Sequence, residues 1–191
     1  MKNKPIGKDF LLLFLYLPGK TNQLNEKVDG MTRLTKAMFL LEKEIKKSLK
    51  DADKIKIYPD FFAWNFGPWS KQVMDDLEFF QNIKFIECVD SSSSENIYTE
   101  EVEDFQKFNN LDPDNSDNNG YEQKGFHLTK VGEKYVKERI LDNFSDNEQK
   151  ILIEFKKRIN SLSLYAILEY VYTKYDKFTD KSEIKDKILK N

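Results

Sequence analysis

The sequence predicts a mainly α-helical protein with a small β element. Along several segments, apolar residues recur at intervals of three and four, the spacing that gives a helix one buried face. Two short apolar segments with strand character flank a long polar stretch near the middle of the chain. The 191 residues are 39% hydrophobic and 14% aromatic, so one sizeable core can form without disulfides or a metal.

The first two helices are predicted from apolar positions with clear ends. The segment 9–17 is mostly apolar and is followed by Pro18-Gly19, which ends a helix. The run is far shorter than the roughly twenty apolar residues of a membrane span, so we expect a core helix of a cytoplasmic protein and not an export signal. A second helix is expected over Thr32–Leu49, with Thr32 as its N-cap and one apolar stripe.

Three strands and two helices are expected in the middle of the chain. The segment 54–58 alternates like a short strand, and Gly67-Pro68 then sets the entry into a helix over Ser70–Gln81. We expect Ser70 to be the N-cap of this helix. Strands are expected over 83–89 and 121–128. A helix capped by Thr129 is expected over Thr129–Leu141, with Val131, Tyr135 and Val136 facing inward.

Three more helices are expected in the last fifty residues. Ser145 and Glu148 have the spacing of a capping box, with Ser at the N-cap and Glu at the third helical position. Amphipathic segments then cover Leu164–Tyr175 and Ile184–Leu189. The first of these carries tyrosines on a broad arc, and we expect the two segments to form either a homodimer or docking surface, with Tyr170 and Tyr172 as partner-binding residues, or an ordinary core layer.

The order of the elements is that of a winged helix-turn-helix, three helices followed by a two-stranded wing. We therefore predict a winged-helix domain over 1–141 and a C-terminal helical extension over 142–191. A low-complexity insertion at about 90–120 is placed at the tip of the wing, because a run of four serines and an Asn/Asp-rich stretch bury little surface.

Several motifs resemble those of the YwgA-like winged-helix proteins, which are predicted transcriptional regulators or uncharacterised. The helix 32–42 (TRLTKAMFLLE) is similar to their T-R-L-x-K…F-L-L-E helix. The block 66–70 (FGPWS) resembles their Y-G-P-[FY]-S block, and 126–132 (FHLTKVG) resembles their junction between wing and helix. The tail from Leu164 to Ile184 is similar to that of some members, and the Gly-Pro-x-Ser block is shared more loosely with Panacea-type antitoxins. The resemblance implies a winged-helix architecture.

The first functional hypothesis is a DNA-binding regulator of transcription, of the kind encoded in prophage or defence loci. Winged helices contact phosphates through cationic side chains and bases through the third helix. Arg33 and Lys36 share a helical face off the apolar stripe, so we expect the core to leave them free. The full set of candidate DNA-binding residues is Arg33, Lys36, Ser70, Lys71, Lys124 and Lys130, with Ser70 acting either as a cap or as a phosphate ligand.

The distribution of charge supports an alternative, a protein-interaction antitoxin or adaptor. Residues 75–122 hold two basic and fourteen acidic side chains, although the whole chain has a net charge of only −2. Carboxylates in the third helix and at the wing tip would repel phosphate, whereas they would attract a basic protein partner. Trp69 is either a packing anchor or a stacking platform for such a partner.

Catalysis is not expected. The chain has one histidine and one cysteine, which cannot supply the roughly four ligands of a structural zinc site. His127 lies between Phe126 and Leu128, where strand alternation points it away from the buried face. Cys88 lies in an apolar strand segment and is expected to be a small core or strand residue. We find no phosphate-binding glycine loop and expect no cofactor.

Overall fold

A computed structural model describes residues 5–50, 52, 55–90 and 124–189. Within these ranges the protein is mainly helical and carries a small antiparallel sheet, as predicted. The insertion expected at about 90–120 lies outside the described residues beyond Asp90. The described ranges contain seven α-helices: α1 (Gly7–Tyr16), α2 (Met31–Lys43), α3 (Lys71–Asn82), α4 (Lys130–Tyr135), α5 (Asp146–Ser161), α6 (Leu164–Lys174) and α7 (Lys185–Leu189).

The main sheet has three antiparallel strands, and the strand that comes last in the sequence lies in the middle. The two strands expected on either side of the polar stretch are β4 (Ile86–Asp90) and β5 (Lys124–Leu128), paired antiparallel with Cys88 opposite Phe126. The third strand, β1 (Val28–Asp29), lies between the first two helices, in a polar segment with two glycines (19–31) that is typical of a loop. A separate hairpin of β2 (Phe62–Trp64) and β3 (Gly67–Trp69) precedes α3 and was also not expected.

The second helix is shorter than predicted and starts one residue earlier. Gly30 is its N-cap, with a φ of 86° that only glycine adopts readily, and Thr32 lies buried in the first turn. The predicted capping role of Thr32 is therefore wrong. The helix ends at Lys43, and a 3₁₀ turn over Ile45–Ser48 completes the predicted range.

The predicted strand at 54–58 is wrong, although the alternation that suggested it reflects burial. Ile55 and Ile57 are buried and Lys56 is exposed between them. Instead of pairing with a strand, the backbone N–H groups of Ile57 and Tyr58 donate to one carboxylate oxygen of Glu42, at 2.9 and 3.2 Å. A side chain on α2 thus satisfies donors that a neighbouring strand would otherwise have taken.

The predicted caps of three helices are confirmed. The side chains of Ser70, Thr129 and Ser145 each accept a hydrogen bond from the backbone N–H three residues later. The carboxylate of Glu148 also accepts from the N–H of Ser145, which completes the expected capping box. These caps fix where α3, α4 and α5 begin.

The inward face of α4 is rotated from the predicted one. Gly132 packs so closely on the strand that a Cβ atom would overlap the carbonyl oxygen of Phe85. Gly132, Val136 and Ile140 therefore form the buried face, and the helix continues to Ile140 as a π turn. Val131 and Tyr135 are turned outward and are 59% and 38% exposed, so the prediction that they face inward is wrong.

The buried apolar residues form one cluster that includes both the predicted winged-helix part and the C-terminal helices. Phe14 of α1 contacts Phe155 of α5 at 5.7 Å between ring centroids. Phe39 of α2 packs edge-on against Tyr175, which follows α6, at 5.0 Å. The C-terminal helices thus complete the core around α1 and α2. None of the described helices is long and apolar enough to cross a membrane.

A buried lysine attaches α5 to the segment after α1. The side chain of Lys156 is fully buried, and its Nζ donates to the carbonyl oxygens of Leu15, Leu17 and Glu26 at 2.7, 2.6 and 2.7 Å. Burial lowers the pKa of Lys156 to about 7, although the nearby Glu26 carboxylate opposes this shift. The ammonium therefore satisfies three carbonyls where α1 leads into the turn before β1.

The contribution of Lys156 to the stability of the protein should vary with pH. Its folded pKa of about 7 lies below the ordinary value of 10.5, so between these pH values the unfolded chain binds more protons than the folded chain. The free energy of unfolding of the wild type, relative to Lys156→Met, should therefore rise by about 2 kcal/mol between pH 7 and pH 9. Urea denaturation of both proteins at each pH tests this, and a constant difference would contradict it.

Candidate functional site

The two cations of α2 that were expected to contact phosphate both donate hydrogen bonds to backbone carbonyls of this chain. The side chain of Lys36 is 3% exposed, and its Nζ donates to the carbonyl oxygen of Pro68 at 3.1 Å. Arg33 donates through Nη1 to the carbonyl oxygens of Ile159 and Leu162, each at 2.6 Å. The expectation that the core leaves them free is wrong, because Lys36 satisfies a carbonyl in the middle of β3 and Arg33 satisfies two carbonyls at the C-terminal end of α5.

The other candidate DNA-binding residues do not form one positively charged surface with Arg33 and Lys36. Ser70 is fully buried and serves as the cap of α3, so in this conformation its hydroxyl cannot reach a phosphate. Lys71 and Lys130 are exposed, but Lys71 lies 3.0 Å from Asp75 and Lys130 lies 3.3 Å from Glu133. Lys124 is the first residue of β5, in register with Asp90.

An aromatic cluster lies on one face of the β2–β3 hairpin. Phe62 and Trp64 alternate onto the same face of β2, and Trp69 lies opposite Phe62 on β3. The ring centroids of Phe62 and Trp69 are 5.3 Å apart, those of Phe62 and Trp64 are 5.9 Å apart, and those of the two tryptophans are 6.4 Å apart. We call these three residues the aromatic hairpin face.

The opposite face of the hairpin is held against the core, which explains why the aromatic face points outward. At the turn end of the hairpin Gly67, which pairs with Trp64, has a φ of 82°, and a Cβ atom there would lie 3.0 Å from the ring of Tyr172, so this end also packs on α6. Pro68 is buried, and its carbonyl accepts the hydrogen bond from Lys36. The turn is also held, since Asn65 accepts at its carbonyl oxygen from the backbone of Glu183 and from the hydroxyl of Ser182.

The aromatic hairpin face is accessible to a partner. Phe62 is 42% exposed, and Trp64 and Trp69 are half-buried. Neither indole N–H donates a hydrogen bond to another described residue, and neither is a buried unsatisfied atom, so both can reach solvent. The face therefore offers aromatic area together with two hydrogen-bond donors, a combination common in protein interfaces.

The two tyrosines predicted to bind a partner, Tyr170 and Tyr172, both make hydrogen bonds within this chain. Tyr172 is buried, and its hydroxyl lies 2.6 Å from the hydroxyl of Ser182. Tyr170 is 38% exposed, and its hydroxyl donates to the Glu44 carboxylate at 2.7 Å. The tyrosine arc is broader than one neighbouring helix covers because it packs on both α2 and the C-terminal turn, so the structure favours the core-layer alternative.

Glu44 is the centre of a polar cluster between the end of α2 and α6. Its Oε1 accepts from the hydroxyls of Tyr170 and Tyr175 and from the ammonium of Lys174, at 2.7, 2.8 and 2.9 Å. Burial alone would raise the pKa of Glu44, but these hydrogen bonds and the charge of Lys174 outweigh it and hold the pKa below its ordinary value. The cluster fixes α6 on α2.

No family model, no curated protein and no solved structure matches the chain. The resemblance to the winged-helix regulators therefore stays a proposal.

The aromatic hairpin face was partly visible in the sequence. Trp69 was identified as a residue that could stack on a partner, but Phe62 and Trp64 were not assigned to a site. The signal that could have identified them is that Phe62 and Trp64 are two positions apart, as in a strand with one aromatic face, and that a glycine follows at position 67. That pattern indicates a short hairpin with one aromatic face.

We expect Glu44→Gln to destabilise the protein by about 1–2 kcal/mol at pH 7, because the neutral amide accepts weaker hydrogen bonds from the same three donors. The folded pKa of Glu44 is depressed, so the advantage of the wild type is present above about pH 4.5 and is lost as the pH falls through the folded pKa. Urea denaturation at pH 7 and pH 3 measures both values.

The matched control is Glu154→Gln, which removes a carboxylate that is 73% exposed and pairs with Lys157. This variant should differ from the wild type by less than about 0.5 kcal/mol. Equal effects of the two substitutions would contradict the role assigned to Glu44.

Proposed function

We propose that the protein is a non-enzymatic interaction module, an adaptor or antitoxin-like protein that docks a protein partner on the aromatic hairpin face. The observation that carries this proposal is the outward cluster of Phe62, Trp64 and Trp69 on a hairpin whose other face is fixed to the core. Such a rigid aromatic surface loses little conformational freedom when it binds.

The chemistry of the three side chains suits a polypeptide partner. Tryptophan is among the residues that most often dominate binding energy at protein interfaces, and neighbouring rings let two or three such contributions act together. The indole N–H groups of Trp64 and Trp69 can donate to backbone carbonyls of the partner. Apolar area and donors are thus supplied by one hairpin.

The charges around α2 and α3 favour a protein over a nucleic acid. Arg33 and Lys36 donate to backbone carbonyls of this chain, and the α3 segment carries one lysine against three carboxylates. A helix that enters the major groove next to phosphates needs the opposite balance. An acidic α3 instead agrees with attraction of a basic partner.

A DNA-binding regulator of transcription is the second candidate function, and the topology of the described part favours it. The strand before α2 joins the β4–β5 hairpin in the order β1, β5, β4, next to three helices in the order α1, α2, α3. This arrangement is typical of a winged helix, although the β2–β3 hairpin separates α2 from α3. Lys71, Lys124 and Lys130 remain the cations through which such a protein would contact phosphate.

We expect substitution of the aromatic hairpin face to abolish capture of the protein partner. Tagged wild type and the Phe62→Ser/Trp64→Ser variant would be purified from native host cells, and co-purifying proteins quantified by mass spectrometry. Loss of two central aromatic contacts, each contributing about 2 kcal/mol, should reduce recovery of the partner by far more than tenfold.

The control for this experiment is Leu162→Ser, which replaces a 38% exposed apolar residue at the end of α5. It should leave recovery unchanged, and both variants should keep the circular dichroism spectrum of the wild type. Recovery of the same proteins by all three forms would contradict docking on the aromatic hairpin face.

Fluorescence anisotropy with random and promoter duplexes over a salt series separates the two candidate functions. Our proposal predicts no saturable binding at physiological salt. If the protein is instead a DNA-binding regulator, it should bind, and replacing both Lys71 and Lys130 by Ala should reduce the slope of log affinity against log salt by about two. Saturable binding with that change of slope would replace the first candidate by the second.

A further inference from the structure

A second apolar surface lies away from the hairpin, across α3 and α4. Phe79 and Ile83 are 51% and 42% exposed, and they are four residues apart, so they share one side of α3 and its end. Val131 and Tyr135 have the same spacing on α4 and are 59% and 38% exposed. We call these four residues the α3–α4 face.

Aromatic rings connect the two halves of this face. Phe79 lies next to Phe80, with ring centroids 5.4 Å apart, and Phe80 stacks on Phe85 at 6.0 Å with nearly parallel rings. Phe85 then contacts Tyr135 of α4 at 5.0 Å. Phe79 and Tyr135 are thus the outer ends of one continuous row of rings, which connects α3 with α4.

The charges on the two halves have opposite signs. The α3 segment carries one lysine against three carboxylates, whereas residues 130–140 carry four cations against two carboxylates. Glu78 is exposed next to Phe79, and Lys134 and Lys137 are exposed on either side of Tyr135 and Val136. Lys84 lies just beyond the end of α3 and offsets part of this negative charge. The net charge of α3 itself remains negative.

We propose that the α3–α4 face binds a second copy of this chain around a two-fold axis. In a two-fold contact each surface meets its own equivalent, so α3 of one copy can face α4 of the other, and the reverse contact occurs at the same time. This arrangement brings the acidic helix against the basic one twice and covers the four exposed apolar residues. A surface with one half acidic and the other basic is complementary to itself.

Sedimentation equilibrium from about 1 µM to about 200 µM tests this proposal on the full chain. The wild type should show a monomer–dimer equilibrium within that range, and the dissociation constant should rise with added salt because the opposed charges are screened. Val131→Asp should raise the dissociation constant at least about tenfold, since it buries a carboxylate in the contact. Glu78→Lys should raise it as well, because α4 of the second copy is basic.

Leu189→Asp is the matched control, because Leu189 is also exposed, at 44%, and lies on α7, where the carbonyl of its neighbour Ile188 accepts from the hydroxyl of Tyr165 on α6. It should dimerise like the wild type. All three variants replace exposed residues and should keep the melting temperature of the wild type within a few degrees. A strictly monomeric wild type at about 200 µM, or equal dissociation constants for Val131→Asp and Leu189→Asp, would overturn the proposal.

Discussion

The hydrogen bond from the buried ammonium of Lys36 to the carbonyl of Pro68 determines how the protein presents its surface. It fixes the β2–β3 hairpin on α2 with Pro68 inward, while Gly67 lets the strand approach the ring of Tyr172. Because successive strand residues alternate between faces, holding one face inward forces Phe62, Trp64 and Trp69 outward. One internal contact thus removes a cation from the surface and places an aromatic cluster there.

Two other long cationic side chains also donate hydrogen bonds to backbone carbonyls of distant elements. Arg33 satisfies carbonyls at the C-terminal end of α5, where four such groups have no partner within the helix. Lys156 satisfies three carbonyls in and after the last turn of α1. In each case a cationic side chain meets carbonyls at the C-terminal end of a helix or in a turn, and these hydrogen bonds offset part of the cost of burying it. These cations hold the C-terminal helices to α1 and α2.

Local signals made much of the fold predictable. The caps at Ser70, Thr129 and Ser145 and the pairing of β4 with β5 follow from residues close together in the sequence, and they were predicted. The predictions that were wrong concern contacts between residues far apart in the sequence. Lys36 was expected to be free because helical spacing cannot show that Pro68 lies beside it, and the face of α4 was set by Gly132 against Phe85. The pattern of the aromatic hairpin face is present in the sequence, but its orientation depends on Lys36 and Tyr172, which lie far from the hairpin along the chain.

The most direct measurement is urea denaturation of Lys36→Ala beside Lys47→Ala, a substitution of an exposed lysine in the 3₁₀ turn after α2. Our account predicts that Lys36→Ala lowers the free energy of unfolding by about 2–4 kcal/mol, because it removes a buried side chain and leaves the Pro68 carbonyl unsatisfied. Lys47→Ala should change it by less than about 0.5 kcal/mol. Equal and small effects would show that Lys36 is not part of the interior, and would contradict the account.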